Sequence, residues 1–263
     1  MTQTYNATIT GQKPVWSRIA NLGSCLNEDI TLDIGKDTLT ARNVDESHVA
    51  LWEMVMPSEA FEEYSVDSSY WRQGADTVPL PLEMVRRSLR TMKKRADFQT
   101  LRLSTGGIEF ESDYQKVWAP SLESTTTPKI PVLDYEGSVT VPTAWLLDAL
   151  LAAKDYSDLA EFDIQPDSMG NDYFCVSGDS TKESGTMVKH KVTDREHDQL
   201  SGANMKSTYA VHWLIPVIRK IKAEKCSTIR LWFNGKYPLK IESEWEDGMT
   251  ATLFLAPRID NEG

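Results

Sequence analysis

The stretch Val44-Asp-Glu-Ser-His-Val-Ala-Leu-Trp-Glu-Met-Val-Met-Pro-Ser-Glu-Ala-Phe-Glu-Glu-Tyr64 decides how the rest of the chain is read. Its middle, residues 48–54, alternates apolar and polar side chains as a half-buried strand does, and a polar turn at Asp45-Glu46-Ser47 precedes it. Working outward, short strands are predicted at 30–34 and 38–43 around a Gly35-Lys36 turn, with a polar loop at 65–78 on the far side. A strand at 5–10 and a short helix at 14–22 come first. In that helix Val15, Ile19 and Leu22 share one face, Pro14 suits the first turn, and Lys13 and Arg18 lie off the apolar stripe.

Three further helices follow from apolar spacing. Over 82–95, Val85, Leu89 and Met92 recur at helical period, Arg86, Arg90 and Lys93 form the neighbouring stripe, and Arg87 and Lys94 lie beside it. Six residues of this segment are basic and only Glu83 is acidic. Residues 142–154 form a helix with Pro142 at its entry and Trp145, Leu146, Ala149 and Leu150 as its apolar content. In 211–225, Leu214, Ile218 and Ile221 make the core stripe, with His212, Arg219 and Lys222 running beside it and Lys220 close by. Pro216 costs about 3 kcal/mol in a helix interior, which predicts a kink or a late start there.

Strands are predicted at 99–103, 107–111, 115–118, 138–141, 161–165, 172–177, 186–192, 228–233, 237–245 and 250–255, while 194–207 is polar and without period. Residues 119–135 carry Pro120, Thr125-Thr-Thr127, Pro128 and Pro131 and read as a linker, because proline sits where neither a helix nor a central strand accepts it. The expected division is a domain at 1–118, a connector at 119–135 and a second domain at 136–263. An internal repeat supports it: Thr100-Leu-Arg-Leu103 and Thr228-Ile-Arg-Leu231 each follow a basic helix, and each half closes on Ala-Pro, at Ala119-Pro120 and Ala256-Pro257.

Composition bounds the function. With 263 residues, each half is long enough to bury its own core. The chain has no apolar run of membrane-spanning length, and its start lacks the basic-then-apolar pattern of a secretion signal, so an intracellular protein without a membrane partner is expected. Cys25, Cys175 and Cys226 stand far apart with no second ligand at metal spacing, so buried free thiols are expected, with no metal site and no cofactor. Asn6-Ala-Thr8 matches a glycosylation acceptor, which has no meaning without secretion.

No phosphate loop, dinucleotide fingerprint, zinc-protease motif or nucleophile elbow is present, and His48, His190, His197 and His212 lack partners at telling spacing. No catalytic residue is therefore assigned. The net charge of −11 argues against nucleic acid as a partner until its distribution is considered. Cations crowd into the helices at 82–95 and 211–225 while carboxylates spread along strands and loops, so local potential decides the matter.

Asp45-Glu-Ser-His-Val-Ala-Leu51 with Pro57-Ser-Glu-Ala-Phe-Glu-Glu-Tyr64 resembles the signature of the sliding clamps of the proliferating cell nuclear antigen (PCNA) family. Tyr237-Pro-Leu-Lys-Ile-Glu242 and Leu253-Phe-Leu-Ala-Pro-Arg-Ile259 resemble that family's last two strands and tail. The resemblance implies an α+β fold of two similar clamp domains, each with two helices packed on antiparallel sheets, the helices lining the inside of a ring. It implies a non-enzymatic processivity factor that encircles duplex DNA without reading sequence, closes as a homotrimer, and tethers polymerase, clamp loader, ligase and nuclease through short peptides. Two alternatives are a subunit of a heterotrimeric or specialised clamp, and a peptide-binding scaffold that does not encircle DNA.

By that resemblance Lys13, Arg87, Arg90 and Arg219 match channel-facing basic positions; helix geometry adds Arg18, Arg86, Lys93, Lys94, Lys220 and Lys222 as phosphate contacts. The helix at 142–154 departs from the pattern, with Asp148 in place of cations and only Lys154 basic. The implied partner-peptide pocket comprises His48, Val49, Leu51, Ile130, Pro131, Tyr237, Pro238, Phe254, Ala256 and Pro257, with Pro128 replacing the usual aliphatic residue. The implied subunit joint pairs strand 115–121 (Gln115, Val117, Trp118) with strand 186–192 (Met187, Lys189, Lys191) of the next subunit. The expected location is the cytoplasm, at the nucleoid, for an archaeal source and the nucleus for a eukaryotic one.

Overall fold

Each helix starts where a β-ladder runs out. The computed structural model describes residues 6–67, 77–94, 97–104, 106–120, 129–179, 184–192 and 205–258. By contact the chain divides into two compact units: Met1–Glu46, Leu51–Lys129 and Trp245–Ala251 form the first, and Ser47–Ala50, Ile130–Glu244 and Thr252–Gly263 the second.

The first unit contains β1 (Ala7–Gln12), α1 (Lys13–Gly23), β2 (Asp29–Ile34), β3 (Thr38–Val44), β4 (Ala50–Pro57), a 3-10 turn (Ser58–Ala60) and β5 (Glu63–Val66). It continues with β6 (Val78–Pro81), α2 (Leu82–Thr91), β7 (Phe98–Ser104), β8 (Gly107–Glu111) and β9 (Lys116–Pro120). One antiparallel sheet runs β5-β1-β7-β8-β9, and β4-β3-β2-β6 pair in a second. The second unit repeats this order: β10 (Gly137–Pro142), α3 (Thr143–Lys154), β11 (Leu159–Pro166), β12 (Asp172–Asp179), β13 (Gly185–Lys191), β14 (Ser207–Ala210), α4 (Val211–Ala223), β15 (Thr228–Phe233), β16 (Leu239–Glu244) and β17 (Thr250–Leu255). Its ladders are β13-β12-β11-β14 and β10-β15-β16-β17. Apart from β5, strand matches strand between the halves, so the sequence repeat reflects one βαβββ-βαβββ plan used twice.

The strand-to-helix junctions are equally repeated. Among the described residues, none of the four α-helices has a side-chain cap hydrogen bond at its N-terminus. Instead the first helical amide donates to the carbonyl just before the neighbouring strand: Lys13 to Asp97 (2.9 Å), Leu82 to Glu28 (2.9 Å), Thr143 to Ser227 (2.9 Å) and Val211 to Asp158 (3.0 Å). One of the four amides that every helix leaves unpaired is thus satisfied by the next rung of the ladder.

The first core forms around Trp16, fully buried, whose indole Nε1 donates to the Gln99 carbonyl at 2.9 Å while its ring meets Phe110 edge-on at 5.2 Å. The second is an aromatic cluster in which Phe162 stands edge-on to Phe174 and Tyr209, each at 5.3 Å, and to Phe233 at 6.2 Å. Such edge-to-face pairs add to the area they bury.

Several expected boundaries shift. The strand expected from His48 begins at Ala50, because His48 takes a left-handed φ of 57° that turns the chain before the ladder starts. The helix expected over 82–95 ends at Thr91, where Met92 is already extended (ψ 114°), so Lys93 and Lys94 follow the helix. Arg95 lies outside the described residues. The loop at 65–78 contains the end of β5 and the start of β6, with 68–76 outside the described residues. Ala119 and Pro120 of the expected linker belong to β9, and its residues 121–128 are not described. The polar segment ends on strand β14, most of it also outside the described residues. Tyr237 and Pro238 precede β16. Pro216 neither ends nor delays α4, and it sits on the exposed face of the helix. Cys175 and Cys226 are buried free thiols and Cys25 is half-buried.

Gly178 on β12 marks the closest approach of strand and helix in the second unit. A Cβ there would lie 2.4 Å from the Ala153 carbonyl oxygen and 2.8 Å from its Cα, both fixed backbone of α3. Gly178→Ala is expected to cost roughly 1–3 kcal/mol of stability by forcing α3 off the sheet, to be read from urea unfolding midpoints; an unchanged midpoint would contradict the packing described.

Candidate functional site

The four helices differ sharply in the charge they show. On α2 the buried residues are Leu82, Met84, Val85 and Ser88. Arg87 and Arg90 project from the opposite side, their side chains 64% and 69% exposed, and both reach Glu83, at 3.1 and 3.5 Å. Exposed pairs of this kind contribute little energy and leave the guanidinium edges available to another anion. Arg86 turns the other way and pairs with Glu28 at 2.8 Å. Lys93 and Lys94 are exposed beyond the helix end. On α4, Leu214, Ile215, Val217, Ile218 and Ile221 are buried, while His212, Pro216, Arg219 and Lys222 form an exposed stripe with Lys220 half-buried at its edge.

The helix α1 does not behave as its sequence suggested. Lys13 Nζ donates to the Met92 carbonyl at 2.5 Å, at the end of α2, where the helix dipole favours a cation. Arg18 is withdrawn altogether: only 11% of its side chain is exposed, its guanidinium pairs with Asp247, touches Met249 Sδ at 3.2 Å and lies 5.2 Å over the Trp245 ring. The expectation that Arg18 contacts phosphate is therefore corrected to a structural role, anchoring Trp245–Ala251 within the first unit. On α3 the exposed residues are Ala144, Asp148, Leu151 and Lys154, with Asp155 just after it.

The apolar group assembles around the second unit's last strand. The Ala256 amide donates to the Val49 carbonyl at 2.9 Å, and Arg258 to Thr208 at 2.7 Å. His48 is exposed and Val49 half-buried. The Tyr209 hydroxyl donates to the Tyr237 carbonyl at 2.8 Å, fixing the turn that presents Tyr237 and Pro238, and Tyr135 stands edge-on to Tyr237 at 5.5 Å. Burial pushes the Tyr135 and Tyr209 hydroxyls above the usual phenol range, and the neighbouring Tyr209, Tyr237 and Glu242 add to the shift at Tyr135. Phe254 is buried (8% exposed), Ala256, Pro257 and Ile130 are half-buried, and Pro131 is exposed beside Val132, at 98% the most exposed large apolar side chain described. Leu51 is assigned to the first unit, apart from the others.

Two sheet edges form the third feature. β9 is the last strand of its sheet and β13 the last of its own. Lys116, Trp118 and Pro120 alternate outward on β9, as do Gly185, Met187, Lys189 and Lys191 on β13. Trp118 is 72% exposed and Met187 46%. Gln115 precedes β9, its side-chain oxygen buried without a partner among the described residues. A hollow of about 340 Å³ lined by Ser104, Ile108, Lys116 and Trp118 follows the first edge, and one of about 460 Å³ lined by Glu161, Asp179, Met187 and Lys206 follows the second. Among the described residues no group of His, Cys, Asp and Glu could hold a metal ion, and no helix is long and apolar enough to cross a membrane.

Repeated α+β units with paired helices and unpaired strand edges define the two-domain clamp fold. Residues 12–73 match the family described as proliferating cell nuclear antigen, N-terminal domain. A DNA polymerase sliding clamp of Methanococcus maripaludis is 25% identical over 252 residues, covering 94% of this chain and 96% of that protein, and one of Thermoplasma volcanium is 24% identical over 92% and 94%. Among solved structures, PCNA of A. fulgidus with the C-terminal region of FEN-1 superposes with a TM-score of 0.79 at 15% identity, covering 97% of this chain and all of that one. PCNA of Thermococcus kodakaraensis gives 0.78 at 20% identity over 96% and 100%. Over its first part the chain is similar to the PCNA family, and over nearly its whole length to DNA polymerase sliding clamps.

Arg18→Ala is expected to lower stability by roughly 1–3 kcal/mol, the range for hydrogen bonds to charged groups, in chemical denaturation. Affinity of the folded variant for duplex DNA should stay at the wild-type value; a selective loss of affinity would restore Arg18 to the phosphate-contacting set.

Proposed function

We propose that the chain is a DNA sliding clamp, a processivity factor that encircles duplex DNA and tethers polymerase and other replication and repair enzymes through the apolar group around Tyr237 and Ala256. The observation that carries this reading is the placement of exposed cations on helices: Arg87 and Arg90 on α2, each in an exposed pair with Glu83, and Arg219 and Lys222 on α4, in a protein of net charge −11. Arginine and lysine on a helix meet phosphates without reading bases, so contact is non-specific and salt-sensitive. Acidic surface elsewhere disfavours any other mode of DNA binding.

In this reading residues 1–118 and 136–263 are the clamp domains and 119–135 the connector beside the peptide pocket. His48, Val49, Ile130, Pro131, Tyr237, Pro238, Ala256 and Pro257 receive an extended peptide, whose main chain finds acceptors along the C-terminal segment. Phe254 acts from below as support. The edges β9 and β13 join head to tail, Trp118 and Val117 against Met187 and the Lys189 and Lys191 stems, which closes a homotrimeric ring and removes both edges. Gln115 contributes only its backbone turn. No step of this function is chemical, so the clamp itself catalyses nothing. The archaeal origin of the sequence relatives supports a place at the nucleoid.

A heteromeric assembly is the second reading, favoured by a TM-score of 0.74 to a structure of the PCNA2–PCNA3 complex from Sulfolobus tokodaii. Sedimentation of the purified chain at micromolar concentration distinguishes them: a trimer mass that Trp118→Glu converts to monomer is expected, and a wild-type monomer would favour the heteromer. Charge reversal of Arg87, Arg90 and Arg219 together should abolish stimulation of a polymerase on primed circular DNA while leaving oligomeric mass intact. Undiminished stimulation would sink the encircling reading and leave a peptide-binding scaffold.

A further inference from the structure

The two helices within each repeat are not equivalent in charge, and the division is the same in both halves. The first helix of each repeat, α1 and α3, offers at most one exposed cation, Lys154 in the last turn of α3. On α1 the outward residues are Pro14, Ser17 and Asn21, Lys13 is drawn onto the Met92 carbonyl, and Arg18 is buried against Asp247. On α3 the outward stripe is Ala144, Asp148 and Leu151, and Lys154 in the last turn is followed directly by Asp155. The second helix of each repeat, α2 and α4, carries Arg87, Arg90, Arg219 and Lys222 on its exposed side.

We infer that phosphate contact in this clamp is carried by the second helix of each repeat alone, with α1 and α3 acting as spacers and Asp148 keeping the duplex off α3. This rests on the DNA-encircling reading and narrows it to which helices grip. Charge decides the matter because the term concerned is counterion release: each phosphate neutralised adds about 0.9 to the slope of log affinity against log salt. A neutral helix adds nothing to that slope, and an aspartate facing a phosphate opposes it. The consequence is a duplex held along alternating bands of positive and non-positive surface instead of a uniform lining.

The experiment measures binding of the assembled clamp to a linear duplex by fluorescence anisotropy as salt is raised from about 50 to about 200 mM, the range over which counterion release changes affinity steeply. Arg90→Gln and Arg219→Gln should each flatten the salt slope, by up to about 0.9 for every phosphate that is no longer neutralised. Lys13→Gln should leave the slope at the wild-type value, and Asp148→Lys, at an exposed position that folding does not use, should steepen it. If Lys13→Gln flattens the slope as much as Arg90→Gln, or if Asp148→Lys leaves it unchanged, the division of labour between helices is overturned while DNA binding stands. A slope that none of the four changes moves would overturn the DNA-encircling reading as well.

Discussion

The amide of the first residue in each described α-helix gives its hydrogen to the carbonyl of the residue just before a strand, and the placement of these helices depends on that bond. The register makes it inevitable. Gln12 pairs with Phe98, so the next amide along, Lys13, meets Asp97; Pro81 pairs with Asp29, so Leu82 meets Glu28. The same step carries Pro142 opposite Thr228 to Thr143 on Ser227, and Ala210 opposite Leu159 to Val211 on Asp158. A side-chain cap would have fixed the end of the helix but not its direction. A ladder rung fixes both, because the strand already holds the chain rigidly up to the last paired residue.

Helical phase then follows from the starting residue, and phase determines which side chains are free. With Leu82 as the first helical residue, Val85 and Ser88 come round to the buried side and Arg87 and Arg90 come round to solvent. A start one residue later would rotate the helix by about 100° and bury an arginine. The charge pattern is therefore a consequence of strand register, and a functional surface with no rigid loop of its own inherits its precision from the sheets.

Much of this is legible from spacing alone. The four helices, most of the longer strands and the twofold repeat all follow from apolar period, since burial on one face is what the period records. What is not legible has physical reasons. β6 and β14 are four residues long, shorter than the window in which alternation becomes distinguishable. The end of α2 at Thr91 has no glycine or proline to announce it; Lys94 and Asp97 form a local turn through the Asp97 carboxylate instead. Arg18 looks like any other helix-face cation, because the group that buries it, Asp247, lies 229 residues away in sequence. Lys13 reads as freely available for a similar reason, its acceptor being a carbonyl 79 residues on. Sequence gives the sign of a charge but not whether another part of the fold has already claimed it.

That distinction bears on how a clamp can hold DNA and still move. A surface with every helix cationic would gain affinity with each phosphate contacted, and affinity that must be broken at each step opposes sliding. In the proposed reading, engaging Lys13 and Arg18 internally and placing Asp148 on α3 lowers the number of contacts without touching the elements proposed to close the assembly, Trp118, Met187 and the edges of β9 and β13. Retention and friction are then set by different residues on different elements. Retention scales with how firmly edge strands pair, a short-range matter of hydrogen bonds and apolar contact that salt barely touches. In the same reading, friction scales with the exposed cations on α2 and α4, a term that falls steeply as salt rises. A protein that needs the first large and the second small gains from keeping them on separate parts of the fold.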